Sequence, residues 1–398
     1  MSAQRVHLLA LLSYTVFPVL AFAAQSDPVK VYVGVGYGHD DNFFRVPQGQ
    51  LQSDPTLADS WWQREVGVTV DKRFSRQRIL LSGQLSKYDF TYFKQLNYDG
   101  KDLHATWFWE LGNHLMGKLG FAYEQVLAPY TDFQSNERNL RRSHKGFIDG
   151  IWRFHSAWQL RAGLQRDAFS YELQSQQLNN RTENASEVEL TFLARSGSTV
   201  GIVGRHLTGS YPYLRPIDNT LISDDFNQDE LKVHIKWLAT GFTSIEAFLG
   251  KTSRGQPSVA IGKTNVLTGR VKATYQPHGA LTYDAVVWRN FEPLESTLVN
   301  YSLNNGATIG TQWDATSKIK VSANKTYEKR NYIARTGFAA SGSLRDVIRS
   351  TSLSATFTPR SALNISGALV RDSRSGSLAL GTGSFRSTRF TLSANLLF

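Results

Sequence analysis

Apolar and polar residues alternate with period two through most of this 398-residue chain. Successive side chains of an extended strand point to opposite faces, so such alternation predicts strands with one greasy and one polar face. In Leu231-Lys-Val-His-Ile-Lys-Trp237 the odd positions are apolar, while Lys232, His234 and Lys236 point the other way. Lys318 and Lys320 oppose Ile319 and Val321, and Arg270 and Lys272 oppose Val271 and Ala273. About eighteen such segments follow one another, from Val29–Tyr37 to the last twelve residues, joined in turn by tight turns and long polar loops. Turn signals include Ser75-Arg76-Gln77, Gly112-Asn113-His114 and Ser196-Gly197-Ser198, and the longest loops are Pro47–Ser60, Leu127–Arg141, Tyr211–Asp225 and Asp372–Ser384. No segment sustains a 3.6-residue period, and no composition break marks a second domain.

The expectation is an all-β fold, an antiparallel up-and-down transmembrane β-barrel of about eighteen strands, with sixteen also compatible. An even count puts both termini on one side, with short turns there and long loops on the other. At the C-terminus Phe390, Leu392, Ala394, Leu396 and Phe398 share one face, and Arg389, Thr391, Ser393 and Asn395 the other. A strand of this kind ending in Phe resembles the C-terminal signal of bacterial outer-membrane barrels. That resemblance gives Phe390, Leu392, Leu396 and Phe398 an assembly role and implies the barrel-assembly machinery as a partner. The apolar run Leu8–Phe22, followed by Ala21-Phe22-Ala23, reads as a cleaved secretory signal over 1–23. Residues 24–398 are then one barrel domain in the outer membrane of a Gram-negative bacterium.

Composition supports this reading. The chain has 31 Gly, 9 Trp, 16 Tyr, 23 Phe and no Cys, and only 19% of its residues are charged. Its mean hydropathy is nonetheless negative, as expected of a barrel that is greasy outside and polar within. The absence of Cys excludes a disulfide framework and thiolate metal sites. Aromatics cluster at strand ends: Phe74, Trp152, Phe154, Trp158, Trp237, Trp313 and Phe357 near turns, and Phe169, Tyr171, Trp288 and Phe291 near loops. They predict two interfacial girdles, although in a soluble β-sandwich or propeller the same residues would be core.

The formal charge of +11 raises the question of nucleic acid. The basic residues are spread through alternating strands, with no helix or aromatic platform to present them to a duplex, so nucleic acid is not expected as a partner. A basic lumen, or attraction to outer-membrane lipid, lipopolysaccharide and polysaccharide, accounts for the excess. A lipid-facing Lys or Arg at the midplane costs about 2–4 kcal/mol, which assigns Lys232, Lys236, Arg270, Lys272, Lys318, Lys320 and Arg389 to the lumen as candidate ligand-path residues. Such cations either attract anions or pair with carboxylates such as Glu187, Glu189 and Glu230 to stiffen the wall.

Catalysis finds little support. The chain has no Gly-x-Ser-x-Gly elbow and no His-Glu-x-x-His helix, and its histidines are scattered. Asp40-Asp41-Asn42 lacks the glycine and distal glutamate of a helical calcium loop and reads as a solvated strand end. No enzyme, metal or cofactor is expected.

The segment Val33-Gly-Val-Gly-Tyr-Gly-His-Asp-Asp-Asn-Phe-Phe-Arg-Val-Pro47 resembles the opening of EpsL, the exopolysaccharide-biosynthesis outer-membrane proteins of exosortase-associated (PEP-CTERM) systems, within the second β-barrel porin group. Ser75-Arg-Gln-Arg78, Leu96-Asn-Tyr-Asp-Gly100, Ala105-Thr-Trp-Phe-Trp-Glu-Leu-Gly-Asn-His114 and Arg138-Asn-Leu-Arg141 extend the likeness. The specific motifs lie before about residue 145; the second half matches only as generic barrel. The resemblance implies a non-catalytic barrel that helps an extracellular polysaccharide cross the outer membrane, served by periplasmic polysaccharide-export proteins. It carries Asp41, Asn42, Phe44 and Arg45 over as motif positions of unknown role. The alternatives are a diffusion porin for small anions and a structural or adhesive barrel acting through Pro47–Ser60 and Leu127–Arg141.

Overall fold

The computed structural model describes residues 28–47, 57–131, 135–217, 219–256, 262–293, 299–334, 344–376 and 383–398. The expected signal segment 1–23 and parts of the loops Pro47–Ser60, Leu127–Arg141 and Asp372–Ser384 lie outside them. The described strands are β1 (Val29–Asp40), β2 (Asp59–Phe74), β3 (Gln77–Phe90), β4 (Tyr98–Leu111), β5 (Leu115–Leu127), β6 (Leu140–His155), β7 (Trp158–Tyr171), β8 (Arg181–Leu193) and β9 (Thr199–Ser210). A small hairpin follows, β10 (Arg215–Ile217) with β11 (Thr220–Ile222). The chain continues through β12 (Phe226–Leu238), β13 (Thr243–Gly255), β14 (Lys263–His278), β15 (Leu281–Pro293), β16 (Val299–Asp314), β17 (Ile319–Ala334), β18 (Arg345–Arg360), β19 (Leu363–Ser375) and β20 (Phe385–Leu397).

Leaving aside the hairpin, these strands form one 18-stranded antiparallel sheet in which each pairs with its sequence neighbour. The sheet closes where β1 pairs with β20, from Tyr32↔Leu397 to Asp40↔Arg389. At the base of this seam Phe398 N donates to Val31 O at 2.7 Å. Closure leaves no edge strand, the condition for a sheet to sit in hydrocarbon. The turns at one end are short, as at Ser75-Arg76, where Ser75 takes the left-handed φ of 54° that the tight reversal requires. The long loops emerge at the other end, which is therefore extracellular.

The alternation read from the sequence is the alternation of the wall. Ile202 faces outward with its cross-strand partners Leu190 and Val233, at 58%, 41% and 43% exposure. Phe390, Leu392, Leu396 and Phe398 are exposed on the same outer surface. A continuous apolar belt of this kind is a bilayer-facing surface.

Of the two expected aromatic bands, the periplasmic one is present: Phe74, Trp152, Phe154, Trp158, Trp237, Trp313 and Phe357 are all exposed. The four residues expected to form the upper band are not on the outer surface. Phe169 and Tyr171 share the parity of the buried Arg161 and Asp167, which puts them inside, and Tyr171 is buried. Trp288 lies across Gly306 on the neighbouring strand, where any Cβ would run into the indole. Phe291 packs edge-on against Tyr301, centroids 5.4 Å apart. Parity places Phe169, Tyr171 and Trp288 inside, whereas Phe291 has the outward parity of Tyr283 and Val287 and is covered by Tyr301, Val266, Leu303 and Ile333 at the loop end of its strand.

The inside–outside assignment predicts an asymmetry between two lysine substitutions near the midplane. Ile202→Lys should destabilise the folded barrel by about 2–4 kcal/mol in lipid, while Ser322→Lys, on the inward face of β17, should cost under about 1 kcal/mol. Urea unfolding of both variants in liposomes checks this, and a reversed order would invert the two faces.

Candidate functional site

The extracellular mouth is built around the end of β1. Arg45 adopts a left-handed φ of 60°, uncommon for a side chain of this size. It is held there by a bidentate pair to Asp40, with Nη1–Oδ1 and Nη2–Oδ2 both 2.9 Å. Ser387 Oγ on β20 donates to Asp40 Oδ1 at 2.7 Å. Asn42 Nδ2 donates to the carbonyls of Val46 and Arg386, both at 3.0 Å, and Asp41 Oδ1 accepts Thr388 N at 2.7 Å. These bonds tie the start of the β1–β2 loop to β20 and keep it folded in. Asp40 and Asn42 are thus buried rather than part of a solvated strand end, while Asp41 is exposed. Asp40 is 1% exposed, because the guanidinium and two hydrogen-bond donors satisfy its carboxylate in place of water.

Phe44 drives the same loop into an aromatic cluster. Its ring lies 4.5 Å from that of Phe93 and 5.0 Å from that of Tyr130, with Phe90 and Leu96 buried beside them. Tyr130 comes from the β5–β6 loop and donates its hydroxyl to Glu137 O at 2.8 Å. Burial pushes its pKa well up, so the hydroxyl stays a neutral donor. Arg138 donates to Asn97 O at 3.1 Å and pairs with Glu172 at 2.6 Å. The hydrogen-bonded carboxylate of Glu172 raises the pKa of that guanidinium further. Three segments far apart in sequence, Val33–Pro47, Leu96–Gly100 and Arg138–Arg141, therefore meet at one place.

A second anchor crosses the mouth. Arg374, on the inner face of β19, donates to Thr131 O in the β5–β6 loop. The same guanidinium is fixed by Asp346, Nε–Oδ2 2.7 Å, and by Tyr332 Oη at 2.9 Å, while Tyr332 donates to Asp346 at 2.8 Å. The β5–β6 loop thus reaches from its own strands, past β4, β3, β2, β1 and β20, to the inner face of β19, and narrows the opening.

Below the mouth the lumen wall is knitted by ion pairs within strands and between neighbouring ones. Arg161 on β7 contacts Asp149, Glu187 and, at 3.8 Å, Glu189. His234 bridges two carboxylates, Glu189 at 2.5 Å and Glu246 at 3.2 Å, and its ring stacks on Phe248 at 4.0 Å. Glu230 takes Lys232 at 2.5 Å and Arg205 at 3.5 Å. Farther round, Glu328 pairs with Arg330 at 2.6 Å and Asn304 donates to Glu292 at 2.9 Å. Glu187, Glu189 and Glu230 all serve as pairing partners. Aromatic rings line the same wall: Tyr88 and Tyr98 stack with centroids 4.5 Å apart, and Tyr32 donates to Gln84 at 2.8 Å.

Six of the seven expected path cations share the inward parity of their strands. Lys232 is paired as above, Lys272 sits 3.1 Å from Asp284, and Lys320 sits 3.8 Å from Asp314. Arg270 and Lys236 show no ion pair within 4 Å among the described residues, and Arg389 is largely buried with Nε and Nη2 unbonded. Lys318 is exposed in the turn just before β17, at the periplasmic rim rather than on the wall. Sequence reasoning missed Arg161, Asp149, Asp346 and Arg374. Their inward parity was visible, but their partners depend on register between strands.

No protein-family model matches the chain, and no curated protein matches it in sequence. Solved structures do resemble it. Pseudomonas aeruginosa OccK2 (OpdF), solved in complex with glucuronate, aligns with a TM-score of 0.51 at 10% identity, covering 93% of this chain and 98% of that one. Pseudomonas aeruginosa OccK9 (OpdG) gives 0.50 at 14% identity, over 93% and 98%. A BenF-like porin from Pseudomonas fluorescens Pf-5 gives 0.50 at 10% identity, over 93% and 99%. At such identities the likeness is one of fold. Together with the lipid-facing belt, it makes this chain an eighteen-stranded, porin-type barrel of the Gram-negative outer membrane.

Proposed function

We propose that the barrel is a non-catalytic conduit for carbohydrate, taking part in the export of an extracellular polysaccharide. The observation that carries this reading is the character of the lumen wall. Many of its cations, Arg161, Arg205, Lys232 and Arg330 among them, are paired with carboxylates on the same or adjacent strands, so hydrogen-bonding groups and aromatic rings supply much of the chemistry offered to a solute. Hydroxyl-rich, weakly charged chains suit such a wall; a small-anion filter would call for rings of unbalanced cations. Three of the motif segments that resemble the exopolysaccharide barrels build the mouth, while Ser75–Arg78 and Ala105–His114 meet at the periplasmic turns; the first segment gives Asp41, Asn42, Phe44 and Arg45 a shared role in shaping the exit. Synthesis and periplasmic export proteins would supply the driving force.

A second reading, a porin for small solutes, is favoured by one specific observation: the β5–β6 loop narrows the opening. It also agrees with the shared fold, and one of the similar structures holds glucuronate.

A clean deletion strain separates the two. Loss of extracellular polymer with accumulation in the periplasm is the expected result; normal secretion alongside a defect in small-solute uptake would favour the porin. The latch supplies a further prediction. Asp40→Ala leaves Arg45 buried without its partner, at a cost of about 3–5 kcal/mol. It should release the loop and raise single-channel conductance, with β-strand content retained by circular dichroism. Unchanged conductance would remove the latch from the path.

A further inference from the structure

The upper outer edge, where an aromatic band was expected, carries Tyr37 and Trp62 at the β1–β2 pair and cations farther round. Lys87, Lys101, Arg166, Lys251 and Arg289 lie on β3, β4, β7, β13 and β15, each at an outward position in the extracellular half of its strand. All five are exposed, and none has an ion pair within 4 Å among the described residues. Acidic residues on this edge are few. Asp89 is taken by Arg64 and Asp229 by His206 at 2.6 Å, which leaves Asp99, across from Lys87.

Each cation borders the apolar belt. Lys101 sits across from Leu85, and Lys251 lies between Leu231 and Leu267, which are 62% and 70% exposed. Arg166 is two residues from Leu164, 60% exposed. An unpaired cation beside hydrocarbon is costly unless it reaches an anion. These side chains are long enough to lift their charge to the headgroup level while their stems stay on the belt. The partner that satisfies both halves carries acyl chains below and phosphate above.

We propose that this set of cations is a docking surface for the phosphorylated glycolipid of the outer leaflet, with lipid A phosphates on the five cations and acyl chains against the leucines beneath. The cations are spread from β3 round to β15, so several lipid molecules are held at once. The set accounts for part of the +11 formal charge without placing that charge in the lumen, and it is independent of what passes through.

The test is lipid A binding by the purified full-length barrel in uncharged detergent, read by native mass spectrometry. Bisphosphorylated lipid A should bind, and lipid A stripped of both phosphates should bind about tenfold more weakly or worse. A quintuple variant, K87Q/K101Q/R166Q/K251Q/R289Q, should show a comparable loss. A charge-matched periplasmic-rim variant, K72Q/R76Q/R195Q/K318Q/R360Q, should bind as the unaltered barrel does. Equal binding of the dephosphorylated lipid, or full binding by the quintuple variant, would overturn the proposal. If the quintuple variant does not assemble, the K87Q/K101Q pair and a salt series on the unaltered barrel decide. Binding that neither weakens in the pair nor falls with added salt, as screening requires, would overturn it equally.

Discussion

Hydrocarbon offers a peptide group no water to bond to, so every strand that crosses it must find a partner on both sides. Everything else in this molecule depends on that constraint. It requires the sheet to close, and closure brings the two ends of the described chain together as β1 and β20, whose register runs from Tyr32↔Leu397 to Asp40↔Arg389. Closure also divides every strand into a lipid row and a lumen row. Once the rows are fixed, a polar residue on the lumen side is buried against neighbouring strands, and its charge must be answered by one of them. The Arg161, His234 and Glu230 networks are that answer. At the top of the seam, the pairing of Asp40 with Arg45 and Ser387 extends the same logic from the wall to the mouth.

The fold was largely legible because its determinant is local. Period-two alternation is written within each strand, and the tight turns between strands carry their own signals, as at Gly112 with its φ of 61°. What was not legible is relational. Arg205 reads as a free lumen cation until register sets Glu230 opposite it. Asp40 reads as a solvated strand end until the loop folds back and supplies Arg45. Trp288 reads as an interfacial residue until parity and Gly306 place it inside. Arg374 and Thr131 are 243 positions apart, and no pattern in the sequence joins them.

The corrections share a direction. Half of the inward cations expected to be free face carboxylates, and Phe169, Tyr171 and Trp288, expected on the upper outer edge, are turned inward. The upper outer edge carries cations beside Tyr37 and Trp62, while the lower edge keeps its aromatic girdle, with Lys72, Arg76 and Lys318 at its rim. The barrel's interior is a polar surface on which many charges are paired, bounded above by a loop drawn across the opening.

The measurement that bears most directly on this account is single-channel recording from the reconstituted barrel under a KCl gradient, before and after addition of a neutral oligosaccharide. A charge-balanced lumen suited to carbohydrate predicts a reversal potential near zero and reversible current interruptions by the sugar. Strong anion selectivity with no response to the sugar would contradict it.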